Sequence, residues 1–133
     1  MKVLIAGANG QLGKDMVLAA GNVGHDVVGY GRAEMDVADA EAVKRRIDMD
    51  RPDMVINCAA WTDVDGAESA EEQAFAINGT GAGNVAVAAR EAGAAVVFVS
   101  TDYVFDGAGP RGRTVGAGPR GTGGGSGCVD AFV

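Results

Sequence analysis

Gly7, Gly10 and Gly13 stand at Gly-x-x-Gly-x-x-Gly spacing, after the apolar run Val3-Leu4-Ile5-Ala6 and before a stretch of helical character. A glycine at a strand-to-helix turn lets the chain reverse sharply. A missing side chain lets a pyrophosphate reach backbone N–H groups. The start of the following helix adds roughly half a positive charge. A dinucleotide suits this pattern, with a glycine-rich turn that packs a helix on a strand as the plainer alternative. Downstream, the run Asp26–Tyr30 is followed by Gly31 and Arg32, and no acid stands at its tip. An acid there suits the ribose 2′-hydroxyl of NAD, whereas an arginine suits the 2′-phosphate of NADP. Arg32 can offer a two-pronged fork to a phosphate. NADP(H) is therefore expected over NAD(H), with a solvated surface role for Arg32 as the alternative.

Two further clusters carry polar groups beside small residues. Asn57-Cys58-Ala59-Ala60-Trp61-Thr62 contains Ala59 and Ala60, small enough for the backbone to lie along a cofactor's ribose and phosphates, and Thr62, a hydrogen-bonding hydroxyl. Trp61 suits a core position and a cofactor wall equally. Ser100-Thr101-Asp102-Tyr103 brings hydroxyls and a carboxylate to the place where the reacting end of the cofactor is expected. The two cysteines, Cys58 and Cys128, give neither a disulfide framework nor a metal site.

The elements that must position these residues alternate. Apolar runs at Met1–Ala6, Asp26–Tyr30, Met54–Asn57 and Ala95–Ser100 read as strands. Helical patterns follow from the end of the Gly7–Gly13 loop to about Ala20, from Asp39 to about Met49, and from Ser69 to about Glu91. Asp39 and Ser69 are the expected N-caps. Arg51-Pro52-Asp53 and Gly93 end the second and third helices, and Gly79, Gly81 and Gly83 weaken the middle of the third. Strand–helix alternation at this spacing predicts an α/β chain, with βαβ units on a doubly wound parallel sheet of Rossmann type. Ligands of such sheets sit at the carboxyl ends of the strands, where strand order reverses. All four chemical clusters follow strands.

Taken together, three stretches resemble the dTDP-4-dehydrorhamnose reductase family, in the extended branch of the short-chain dehydrogenase/reductase superfamily. They are Gly-Ala-Asn-Gly-Gln-Leu-Gly at 7–13, Arg-Pro-Asp-x-Val-Ile-Asn-x-Ala-Ala-x-Thr-x-Val-Asp-x-Ala-Glu-Ser at 51–69, and Ser-Thr-Asp-Tyr-Val-Phe-Asp-Gly at 100–107. The resemblance covers residues 1–107. It implies reduction of the 4-keto group of dTDP-4-dehydro-rhamnose with NAD(P)H, in dTDP-L-rhamnose synthesis. By position, it implies that Gly10, Gln11 and Leu12 hold the pyrophosphate. Tyr30, or its neighbours Gly31 and Arg32, meets the adenosine ribose, and Asp36 and Val37 flank the adenine. Ala60, Trp61, Thr62 and Val99 line the way to the nicotinamide. Thr101 and Asp102 touch the sugar nucleotide, and Thr101 is the hydroxyl of the catalytic triad. Gly66 stands where a lysine is common.

The superfamily's proton donor is a Tyr with a Lys four positions later, an ammonium that lowers the phenol from its usual pKa of about 10. The tyrosines here are Tyr30 and Tyr103, positions 34 and 107 hold Glu and Gly, and no lysine follows Lys44. Thr101 thus lacks its partners, and the chain is expected to be inactive alone. A non-catalytic dinucleotide-binding module and a nonfunctional product are the alternatives.

The 133 residues divide near Asp106. Residues 1–106 carry twelve of the 22 glycines and form the expected dinucleotide-binding domain. Residues 107–133 form a Gly/Arg/Pro tail, in which Gly-Ala-Gly-Pro-Arg-Gly occurs at 107 and again at 116. From 107 to 127 there is no Leu, Ile, aromatic or acidic residue, so disorder is expected. A shifted reading frame through GC-rich codons accounts for this composition better than a nucleic-acid-binding tail does. Without a neighbour, the strand at 95–100 would present an apolar edge that favours self-association. The net charge of −7 argues against nucleic acid and anionic membrane as partners. With no spanning apolar run and no secretory signal, a cytoplasmic location is expected.

Overall fold

The computed structural model describes residues 1–61 and 70–99. Four parallel strands form one sheet: β1 (Lys2–Ala6), β2 (Asp26–Tyr30), β3 (Met54–Asn57) and β4 (Ala95–Phe98), in the order β2-β1-β3-β4. β1 pairs with β2 through Val3–Val27 and Ala6–Tyr30, and with β3 through Leu4–Val55 and Ala6–Asn57. β3 pairs with β4 through Val55–Val96 and Asn57–Phe98. The chain leaves β1 for one side of the sheet and later returns to its other side. The switch in strand order therefore lies between β1 and β3, directly above the glycine loop.

The two central strands are apolar because both of their faces are covered. Val3, Ile5 and Ile56 face helix α1 (Gln11–Asn22), meeting Met16 and Val17. Leu4, Ala6 and Val55 face the opposite layer. There they join Val43 and Ile47 of α2 (Ala40–Asp50) and Val85, Ala88 and Ala89 of a C-terminal helix. Leu4, Ile5, Val43, Ile47, Val55 and Val85 are fully buried. Burying one such side chain stabilises the fold by about 1.5–3 kcal/mol.

Local signals explain most boundaries. Asp39 caps α2, accepting the Glu41 and Ala42 N–H groups at 3.0 and 3.1 Å. α2 ends where Arg51 turns into the left-handed region at φ 48°, and Pro52 follows. α1 runs to Asn22, two residues beyond the expected end near Ala20.

The third helix differs from its expectation. It forms as α3 (Glu71–Phe75), a π-helical segment (Ala76–Gly81) and α4 (Ala82–Ala92) in direct succession. Its N-cap is Ala70, with no side-chain cap; Ser69 lies outside the described residues. Gly79 and Gly81 serve close packing, whereas Gly83 faces open space. A methyl on Gly81 would stand 2.8 Å from Val37 Cγ2, and one on Gly79 3.3 Å from the Phe75 ring. Gly93, at φ 73°, ends α4 as expected. β4 stops at Phe98 rather than Ser100, leaving Val99 about half exposed; Ser100 lies outside the described residues. Among the described residues, no helix is long and apolar enough to cross a membrane.

Candidate functional site

Gly7 leaves β1 at φ 74°, a left-handed conformation that favours glycine. Its Cα faces the start of the segment after β3, where an added methyl would stand 2.6 Å from Ala59 N. At Gly13 the methyl would stand 2.1 Å from Gly7 O and 2.8 Å from Ala8 Cα. Both glycines are therefore required by the protein's own packing. Gly10 is different. Its φ of −72° and ψ of 170° suit any residue, and an added methyl would meet nothing nearer than Gly7 O at 3.3 Å. Folding asks less of Gly10 than of Gly7 or Gly13, a single tight backbone contact, and its bare, exposed position leaves room for something outside the chain.

The end of α1 next to Gly10 is poised for an anion. Among the described residues, the N–H groups of Gln11, Leu12 and Gly13 make no hydrogen bond, and the first turn holds no acidic side chain. Orphan N–H groups at a helix start carry partial positive charge and point outward. Gly10, Gln11 and Leu12 are exposed. The loop is held from beneath by Gly10 N–H on Gly7 O at 3.0 Å and by Ala8 N–H on Tyr30 O at 3.0 Å. The second bond ties the loop to the end of β2.

At that end, the Tyr30 side chain turns away from the loop. Its hydroxyl donates to Asp50 Oδ2 at 2.7 Å, and the Arg46 guanidinium lies 4.8 Å from its ring centre. Burial first, then the bond to Asp50, raises the Tyr30 pKa above its ordinary value. What Tyr30 offers the site is its backbone; Gly31 and Arg32 stand beside it. The Arg32 side chain is 69% exposed and reaches Asp36 Oδ2 at 3.5 Å. Asp36 Oδ1 accepts the Ala38 N–H at 3.0 Å. Val37 packs into the core, and its carbonyl accepts Asn84 Nδ2 at 2.9 Å, fixing this turn against α4. The Val37 side chain is thus unavailable to a ligand.

Glu34 escaped the reading of the sequence, because it lies past the strand tip. Its carboxylate folds back, so that Oε2 accepts the Gly31 N–H at 2.8 Å. An acid does stand at the end of β2, brought there by a turn.

After β3, the buried Asn57 accepts the Ala59 N–H on Oδ1 at 3.1 Å, and Cys58 N–H donates to Ala6 O at 2.9 Å. Cys58 is partly buried against Ile5 and Ile56, and burial raises its thiol pKa. Trp61 packs against the core on the α2 side. Asn78 grips it: Trp61 N–H donates to Oδ1 at 2.8 Å, and Nδ2 donates to Trp61 O at 3.3 Å. Asn78 sits in the π-helical segment, a feature frequent at functional sites. It too was missed, because a 3.6-residue period cannot register an extra residue in a turn.

The structure brings together Gly7, Gly10, Gln11, Leu12 and Gly13 with the Tyr30–Arg32 corner and Ala59. Asp36 and Val37 lie on the turn beyond that corner. Ala60 and Trp61 continue from Ala59. Thr62, Thr101 and Asp102 lie outside the described residues.

Residues 1–124 match the family model described as the RmlD substrate binding domain. The chain belongs to this family. A dTDP-4-dehydrorhamnose reductase of Mycobacterium tuberculosis is 46% identical over 106 residues, covering 80% of this chain and 34% of the relative. One of Streptomyces griseus is 44% identical over 108 residues, covering 81% and 36%. The chain spans about a third of the length of these curated relatives. The solved dTDP-4-dehydrorhamnose reductase of Bacillus anthracis in complex with NADP superposes with a TM-score of 0.76 at 41% identity, covering 84% of this chain and 40% of that one. That of Clostridium acetobutylicum gives 0.77 at 40% identity, covering 86% and 41%. The expected Rossmann-type parallel sheet and the family resemblance are both borne out.

Proposed function

We propose that this chain carries the coenzyme-binding half of a nucleotide-sugar oxidoreductase, which reduces the 4-keto group of dTDP-4-dehydro-rhamnose with NAD(P)H, NADP(H) favoured. The observation that carries this reading is Gly10: exposed, with only Gly7 O close to where a side chain would begin, and set before three unbonded N–H groups. Such a place suits a pyrophosphate against bare backbone. The name of the Bacillus anthracis relative, crystallised with NADP, supports the coenzyme class. The exposed Arg32 guanidinium supports NADP over NAD.

NADPH supplies a hydride to such a carbonyl when bound. This chain's residues do the holding. Gly7 and Gly13 set the turn, Gly10 leaves its exposed face bare, and Gln11 and Leu12 present their N–H groups to the pyrophosphate. The Gly31–Arg32 corner receives the adenosine ribose, and Asp36 with the Val37 backbone flanks the adenine. Ala59 and Ala60 give close backbone approach, and Trp61, Thr62 and Val99 border the nicotinamide. Thr101 and Asp102 meet the sugar nucleotide, with Thr101 the hydroxyl of the triad. Residues 1–106 form the binding domain, distinct from the Gly-rich stretch 107–133. The fitting location is the cytoplasm, where a dTDP-linked sugar is the partner and nucleic acid and membrane are not. Among the described residues β4 lies at the edge of the sheet, and such an edge gives a route to self-association.

A carbonyl oxygen gaining charge needs a placed acid, worth about 10²–10⁴ in rate. The 133 residues hold no Tyr-x-x-x-Lys, and the Tyr30 hydroxyl is committed to Asp50. Binding without turnover is therefore expected of this chain by itself. The same observation favours the second reading, a non-catalytic dinucleotide-binding module. Titration of the purified chain with NADPH, followed by an assay with dTDP-4-dehydro-rhamnose, tests both readings. Saturable binding is expected; its absence refutes the coenzyme site, and measurable turnover refutes the expected inactivity.

A further inference from the structure

Beyond β2 the chain makes a tight turn, in which the Glu34 and Met35 N–H groups donate to Gly31 O at 3.1 and 3.0 Å. Glu34 is held twice more. Arg46 Nε donates to its carbonyl at 3.1 Å, from α2, and its own Oε2 accepts the Gly31 N–H at 2.8 Å. The same corner touches the glycine loop. A methyl on Gly31 would stand 2.0 Å from Asn9 Nδ2 and 3.1 Å from Glu34 Oε2. Asn9 and Glu34 thus converge over Gly31, where β2 meets the loop. Among the described residues, Glu34 Oε1 has no partner. One residue after Gly31, the exposed Arg32 side chain carries the opposite charge and reaches Asp36 Oδ2 at 3.5 Å.

We propose that Glu34 determines coenzyme choice in this chain: it sets a carboxylate against Arg32 at the adenosine ribose, so that NADH is accepted as well as NADPH. This inference rests on the dinucleotide reading above. A carboxylate accepts a hydrogen bond from a ribose 2′-hydroxyl but repels a 2′-phosphate, which carries nearly two negative charges. Arg32 does the reverse, attracting the phosphate with its fork and gaining little from a neutral hydroxyl. A site with both charges discriminates weakly, and one that loses the Glu34 charge tilts toward the phosphate, with Asp36 still beside Arg32. The backbone is not free to move the carboxylate away, because Arg46 is itself stacked on Tyr30.

Glu34→Gln keeps an oxygen that can accept the Gly31 N–H, so the turn persists while the charge is lost. In titrations of the 133-residue chain with NADPH and with NADH, this substitution is expected to raise the ratio of NADPH to NADH affinity about tenfold, from a dianion and a carboxylate a few ångströms apart in water. The gain is expected to shrink in high salt, since the corner is exposed to solvent. Arg32→Ala is expected to move the ratio the other way. If Glu34→Gln changes both affinities by one common factor, or neither, Glu34 only supports the turn and the inference is overturned. A wild-type chain that binds neither coenzyme overturns the dinucleotide reading, and this inference with it.

Discussion

Gly10 and Gly13 look alike in the sequence but face opposite demands, and a single methyl group separates them. In Gly13→Ala the new Cβ would lie 2.1 Å from Gly7 O and 2.8 Å from two further backbone atoms, Ala8 Cα and Gly7 C. Backbone atoms cannot swing aside as a side chain can, so α1 must lift off the loop. Overpacking of this kind typically costs 1–3 kcal/mol, and a backbone clash belongs at the upper end, at about 3 kcal/mol. For a domain of this size, that lowers Tm by roughly 12–24 °C. In Gly10→Ala the new Cβ makes one tight contact, with Gly7 O at 3.3 Å, which the loop must ease by a few tenths of an ångström, and the backbone is already extended at φ −72°. The stability loss should stay near the low end of overpacking, about 1 kcal/mol, or roughly 4–8 °C. Affinity should behave inversely. The Gly10→Ala methyl occupies the space left for the pyrophosphate, and a tenfold loss of NADPH affinity, about 1.4 kcal/mol, is expected. Thermal melts by circular dichroism and NADPH titrations on the two variants provide the assay. If Gly10→Ala unfolds as readily as Gly13→Ala, or binds NADPH like the wild type, the division of labour between the glycines is wrong.

Two other outcomes follow from the same contacts. Asn78→Ala removes both amide bonds to the Trp61 backbone and should cost about 1 kcal/mol, a Tm loss of roughly 4–8 °C; because Trp61 is the only tryptophan, its emission should shift to the red while the far-ultraviolet spectrum holds, and an unchanged emission would show that the clamp does not hold the segment after β3. The raised Tyr30 pKa means that the folded chain keeps its phenolic proton better than the unfolded one, so this contribution to stability is fully present below pH 10 and is lost as pH rises through the elevated folded value; urea midpoints measured upward from pH 8 should therefore fall less steeply in Tyr30→Phe than in wild type, and parallel curves would contradict it.

The residues that make the fold spoke through short-range signals. β1 and β3 are apolar without alternation because both faces are covered, and that pattern is visible in Val3-Leu4-Ile5 and Val55-Ile56 alone. Asp39 and Pro52 bracket α2 through local chemistry that needs no distant partner. The glycine loop was legible for the same reason, since Gly7, Gly10 and Gly13 fall within one turn of chain. Glu34 was not legible, because its place at the end of β2 depends on a turn that folds the side chain back over three residues. Asn78 was hidden more deeply. Its partner, Trp61, is 17 residues away, and the π-helical widening that aims it has no periodic signature. Gly79 and Gly81 read as weaknesses in a helix, whereas they are the points where Phe75 and Val37 pack closest.

The bare face of Gly7 rests directly on the main chain at Ala59. With no side chain between them, there is nothing compressible in that joint, so the turn leaving β1 and the segment leaving β3 behave as one part. Asn78 extends the same part to the long helix through Trp61. Drift at either position has to be matched across the joint.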